Sequence, residues 1–190
     1  VTSPISIGTT DWEHPEWRDA FYPAELEPND WLAFYASAFA HVEIGESLYG
    51  LPERTTLLRW VENTPECFRF TLTAPRTITH YKKLKNCENQ VNQLLTRLDG
   101  MEHRIKNVLF RLPPRWHCNL RRLEVFLSRL PETFRYVLEF GDVSWYGADV
   151  YTVLREHNAA LCIHDHGGVT SPLVSTADLV YVRLNGAKSV

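Results

Sequence analysis

Short β-rich runs alternate with longer stretches of helical spacing along this 190-residue chain, and that alternation leaves few folds open. The β-rich runs are Ile5–Thr10, His41–Gly45, Phe68–Ala74, Asn107–Leu112, Arg135–Phe140, Ala160–Asp165 and Asp178–Asn185. Between them, apolar residues recur at helical intervals. Trp31, Phe34, Tyr35, Ala38 and Phe39 form one stripe, and Cys87, Val91, Leu94, Leu95 and Leu98 a second. Leu123, Phe126, Leu127 and Leu130 form a third, and Val150, Val153 and Leu154 a shorter fourth. Each stripe leaves the opposite face polar, as a helix laid on a sheet requires. Asn86 and Asn119 stand where helix caps are needed, and Pro113-Pro114 stops the fourth strand. Strand–helix–strand repetition predicts a parallel sheet with helices outside it.

A doubly wound open sheet and a (β/α) barrel both fit that order, and the strand faces choose between them. Val42 and Ile44 oppose Glu43 and Gly45. Val108, Phe110 and Leu112 oppose Leu109 and Arg111. Tyr136, Leu138 and Phe140 oppose Val137 and Glu139. Val180, Val182 and Leu184 oppose Tyr181, Arg183 and Asn185. A sheet covered on both sides reads as a continuous apolar run. Here one face turns polar toward the strand carboxyl ends, which suits a TIM-type barrel with its site at the carboxyl-terminal mouth. The expectation is an α/β fold, one domain over 1–190.

Composition narrows the function classes. The chain is 44% hydrophobic and 23% charged with a net charge of -3, a globular balance with no overall electrostatic bias toward nucleic acid or anionic membrane. No apolar run reaches the ~18 residues of a membrane span. Charges at Asp11, Glu13, Glu16, Arg18 and Asp19 speak against a secretory leader in this stretch, so a cytoplasmic location is expected. Cys67, Cys87, Cys118 and Cys162 form no CxxC pair and are read as reduced thiols. There is no GxGxxG, Walker or GxSxG fingerprint, and no cofactor is expected.

The chain resembles the YecE-like family, a domain of unknown function numbered seventy-two. The resemblance rests on IGTTDW at 7–12, FYP at 21–23, VEIGESLY at 42–49, FTLTAPRTITH at 70–80, VLFRLPP at 108–114, EFGDVSW at 139–145 and TADLVYVRLNG at 176–186. These occur in family order across nearly the whole chain. The resemblance implies a TIM-type barrel and no settled reaction. It also implies departures near the strand ends: Gly45 replaces Asn, Thr73 Lys, Arg111 Gln, Gly141 Arg and Asn185 His. Family members continue past RLNG into a further helix and strand. A full barrel typically takes ~250 residues, so an incomplete one of seven strands is expected. Its gap would lie between the first and last strands, to be covered by a loop, a partner chain or a missing segment.

Four constellations carry candidate chemistry. Glu43, Arg111, Glu139 and Arg183 point inward, with Arg76, His80 and Asp165 at strand ends. Buried charges must pair, so this is either a salt-bridge layer or a pocket for a small polar or anionic ligand. In the pocket reading, Arg76, Arg111 and Arg183 fork onto carboxylate or phosphate oxygens, and Glu43 or Glu139 serves as acid or base. Trp12, Tyr49 and Trp145 would wall it. The same two glutamates would suit glycoside hydrolysis only at a separation of ~5 to 9.5 Å. His164-Asp165-His166 alternates across a strand, a poor metal face, and no metal site is expected. Finally, Tyr81, Lys82, Lys83 and Lys85 with Arg115, Trp116, Arg121 and Arg122 could hold a phosphate backbone against a stacking surface. A solvated helix face is the simpler reading of that group. Small-ligand binding, with or without turnover, leads. A non-catalytic binding protein and a phosphodiester-binding one are the alternatives.

Overall fold

The computed structural model describes residues 5–45, 50–165 and 170–185. Seven parallel strands follow one another in both sequence and space: β1 (Gly8–Thr10), β2 (His41–Ile44), β3 (Arg69–Thr73), β4 (Ile105–Leu112), β5 (Arg135–Phe140), β6 (Ala160–His164) and β7 (Tyr181–Arg183). The helices α1 (Trp31–Ala38), α2 (Arg54–Glu62), α3 (Glu88–Leu98), α4 (Leu120–Leu127) and α5 (Ala148–Glu156) lie in the connections. Strand order that never reverses excludes the doubly wound sheet. The ladder registers are staggered, Arg111 facing Glu139 on one pair and His164 facing Arg183 on another. The result is a curled half-barrel.

Alternation assigns each strand's two faces. Val42, Phe70, Leu72, Val108, Phe110, Leu138 and Phe140 are all 0–1% exposed and join the helix stripes in one outer core. Leu109, Val137, Ala160, Cys162 and Tyr181 form a second, smaller cluster inside the curl.

The connection from β6 to β7 breaks the pattern. Its described part, 170–180, contains no helix. Instead it satisfies the backbone of β6 through side chains. Thr176 Oγ1 accepts from the Leu161 amide at 2.8 Å and donates to the Ala159 carbonyl at 2.7 Å, and Ser171 Oγ accepts from the His164 amide at 2.8 Å. The outer face of β7 is consequently bare, with Val180, Val182 and Leu184 all more than half exposed. No pairing joins β1 to β7 among the described residues.

Several expected boundaries shift. Ladder bonds begin at Gly8, and Ile5 and Ile7 stand exposed before it, because β1 has a partner on one side only. The last strand pairs only over Tyr181–Arg183. Asn119 caps α4 as expected, accepting from the Arg122 amide at 3.0 Å. Asn86 does not cap α3: it adopts a left-handed φ of 49°, and Cys87 takes the cap position without a side-chain bond. α2, with only Leu57 buried, and a π-helical turn at Thr77–Tyr81 lacked a clear apolar stripe and are additions to the expected elements.

Candidate functional site

The inward alternation of four strands brings Glu43, Arg111, Glu139 and Arg183 into one hydrogen-bonded chain. Arg183, on β7, stands between the two carboxylates. Its Nε donates to Glu43 Oε2 at 2.9 Å, and its terminal nitrogen Nη1 bonds Glu139 Oε2. Arg111 Nε donates to Glu139 Oε1 at 3.0 Å. The Tyr181 hydroxyl donates to Glu43 Oε2 at 2.8 Å. Both carboxylates are about 95% removed from solvent, where a lone charge would be strongly disfavoured.

Electrostatics follow from that packing. Burial would raise the pKa of Glu139, but the guanidiniums of Arg183 and Arg111 outweigh it and hold the carboxyl below its ordinary range. Burial opposes the charge on Arg183, and Glu43 and Glu139 overcome it. Cys162, whose Sγ lies 3.9 Å from Glu139 Oε2, is pushed the other way by burial and that negative neighbour, so its thiol stays protonated and unreactive.

A more open group adjoins this layer. Arg76 is exposed at the start of the π-helical turn after β3, and His80 lies within that turn with its Nδ1 2.9 Å from Thr79 Oγ1. Burial lowers the His80 pKa, and the positive charges of Arg76 and Arg111 lower it further. Arg111, at the carboxyl end of β4, keeps 27% of its side chain exposed. Thr73, the last residue of β3, faces inward. Its buried hydroxyl has no hydrogen-bond partner among the described residues.

Other candidates lie elsewhere. Asp165 ties the ends of β6 and β7 together, accepting from the Asn185 amide at 2.9 Å. Trp12 packs edge-on against Trp60, and Trp145 is fully buried, stacked on Phe140 with its indole donating to the Trp116 carbonyl. Both belong to the outer core. Tyr49 and His166 lie outside the described residues. His164 is buried, its Nε2 within 3.1 Å of the Phe140 carbonyl and 3.0 Å of the Tyr146 hydroxyl. Among the described residues no three His, Cys, Asp or Glu side chains gather into a metal-sized cluster. All four cysteines are free, and no described helix is long and apolar enough to cross a membrane. Two participants were not among the expected ligand or catalytic residues. Strand alternation puts Tyr181 on the inward face with Arg183, which is the signal for it; Thr73 stands out in the sequence only as a departure from the family's Lys, and nothing there marks its hydroxyl as unpartnered.

Two departures from the family pattern have a steric basis. A Cβ at Gly45 would sit 2.3 Å from the Asp11 carboxylate, which accepts the Gly45 amide at 2.7 Å. A Cβ at Gly141 would sit 2.8 Å from the Pro114 backbone nitrogen.

Comparison with known proteins agrees with this architecture. The family profile "Protein of unknown function DUF72" matches residues 6–189. The chain is 36% identical over 136 residues to the UPF0759 protein YecE of Escherichia coli K12, covering 71% of this chain and 47% of that protein. It is 28% identical over 159 residues to the UPF0759 protein YunF of Bacillus subtilis, covering 77% and 54%. The chain thus spans about half the length of these relatives. A DUF72 family protein from Thermotoga maritima superposes with a TM-score of 0.82 at 25% identity, over 96% of this chain and 75% of that one. One from Enterococcus faecalis gives 0.65 at 22% identity, over 82% and 69%.

Proposed function

We propose, since this chain belongs to the DUF72 family of proteins of unknown function, that its half-barrel mouth binds a small polar molecule carrying an anionic group. The observation that carries this reading is Thr73 Oγ1, a buried hydroxyl on the inward face that lacks a partner among the described residues. Such groups are normally satisfied, and a ligand oxygen is a natural partner. Arg76 and Arg111 supply the positive charge, and their field on His80 keeps that ring neutral.

Glu43 and Glu139 act in this reading as counter-charges that hold Arg183 and Arg111 in place. A carboxylate gripped by two guanidiniums is a weak base, so binding is favoured over proton-transfer chemistry at Glu139. The cation cluster, rather than a paired-acid pocket, defines the ligand class.

Titration with inorganic phosphate, followed by calorimetry and by the His80 ring resonances, tests the proposal. Saturable binding that Arg76→Ala weakens at least about tenfold, about 1.4 kcal/mol, is the expected result. An unmoved His80 at saturating phosphate, or no saturation, overturns it.

A further inference from the structure

The helical layer carries a second feature, whose lining includes none of the charge-layer residues. α4 packs on α5, and α2 on α3. Between α3 and α4, however, lies a cavity of about 580 Å³, within the ~300 to 1,000 Å³ typical of small-molecule sites.

The cavity has two chemistries. Its walls are apolar: Leu84, Val91 and Phe126 are buried there, and Val125 presents a side chain left 41% exposed. Its rim is cationic, with Lys85, Arg121, Arg122 and Arg129 against a single carboxylate, Glu88, which Arg129 already engages. The basic residues scattered across two sequence segments are therefore assembled in space, in a chain whose net charge is negative. Arg122 also donates to the Lys83 carbonyl, and both cationic groups lie 5.9 Å from the Trp116 ring centroid.

We propose that this cavity binds an anionic amphiphile, its apolar body between α3 and α4 and its phosphate or carboxylate head at Lys85 and Arg122. Charge complementarity selects the head, since cations dominate the rim. The apolar walls select the body, because an exposed Val125 contributes nothing to holding a phosphate backbone. Trp116 argues in the same direction. It was the expected stacking surface for a base, but it is only 8% exposed and already flanked by Lys83 and Arg122. Stacking with nucleic acid needs an open ring face.

Calorimetric titration of the whole chain with octyl phosphate, below its micellar concentration, tests this. In the Arg76→Ala chain, whose mouth is weakened for phosphate, one molecule should bind saturably per chain. Val125→Asp, at an exposed position that tolerates the change, and Arg122→Gln should each weaken binding at least about tenfold with unchanged melting curves. Arg76→Ala, at the barrel mouth, should leave octyl phosphate binding intact while removing binding of inorganic phosphate there. The idea is overturned by no saturable binding, by binding that survives Val125→Asp, by binding lost with Arg76→Ala, or by displacement with single-stranded oligothymidylate.

Discussion

Arg183 reaches from the last strand to Glu43 on the second, Nε to Oε2 at 2.9 Å, spanning the inside of the curl between residues 140 positions apart in sequence. The same guanidinium holds Glu139 on the fifth strand. One cation thereby bridges two buried carboxylates from different parts of the sheet, and Arg111 supplies the second positive charge at Glu139.

Removing that cation should be severe. Arg183→Leu leaves Glu43 and Glu139 without their shared partner, and an uncompensated buried charge costs about 3 to 5 kcal/mol. Urea unfolding should show a loss of that order, partly recovered when Glu43→Gln is added. Additive effects of the two changes would contradict the shared-partner geometry.

His41 should make stability fall in acid. Burial lowers its pKa from 6.5 to about 4, and its Nε2 lies 2.9 Å from Thr71 Oγ1. The folded state therefore takes up a proton less readily than the unfolded one. The stability tied to the neutral ring is complete above pH 6.5 and is lost as pH falls toward 4, by about 3 kcal/mol. Chemical denaturation across that window should show the slope, and His41→Gln should flatten it.

Thr73→Val should separate stability from binding. Replacing a buried hydroxyl that lacks a partner with a methyl removes a desolvation penalty, so stability should rise by about 1 kcal/mol. Phosphate binding should weaken. A melting point that falls would mean the hydroxyl is satisfied in the free protein.

The two glycines should differ in their tolerance. At Gly141 an added methyl meets backbone of the Pro113-Pro114 segment, which cannot easily move. At Gly45 it meets the Asp11 side chain, which can rotate away at the loss of one hydrogen bond. Gly141→Ala should cost about 1 to 3 kcal/mol and Gly45→Ala less, measured by thermal unfolding. The reverse order would place the tighter constraint at Asp11.

The bare face of β7 should be adhesive. Val180, Val182 and Leu184 are exposed beside a strand edge that has no partner among the described residues, the setting in which sheets recruit other chains. Sedimentation should show association that grows with concentration and is reduced in Val182→Lys. A monomer at all concentrations would argue against it.

Period-two alternation made the inward charges readable, because any strand in a curled parallel sheet sends Glu43, Arg111, Glu139 and Arg183 to the same side. It also located the outer core. What it could not convey was which acid meets which base, since pairing depends on strand stagger, set by Thr73 opposing Leu109 and Arg111 opposing Glu139. The tryptophans illustrate a second limit. Trp12 and Trp145 lie beside mouth residues in sequence, but their rings turn into the outer core, a choice made by Trp60 and Phe140 rather than by local pattern. The helix-free stretch 170–180 was equally illegible, because it is tied to β6 by the Thr176 and Ser171 side chains, 7 to 17 residues away in sequence, and not by a periodic pattern.

The edges of β1 and β7, unpaired with each other among the described residues, change what sets the girth of this sheet. A closed barrel is a hoop whose circumference is fixed by continuous backbone bonding. Here the hoop is cut, and charge attraction across the interior draws the loose end inward. Girth becomes an electrostatic quantity: acid strong enough to discharge Glu139, whose carboxyl the guanidiniums of Arg183 and Arg111 hold below its ordinary range, would slacken the hoop.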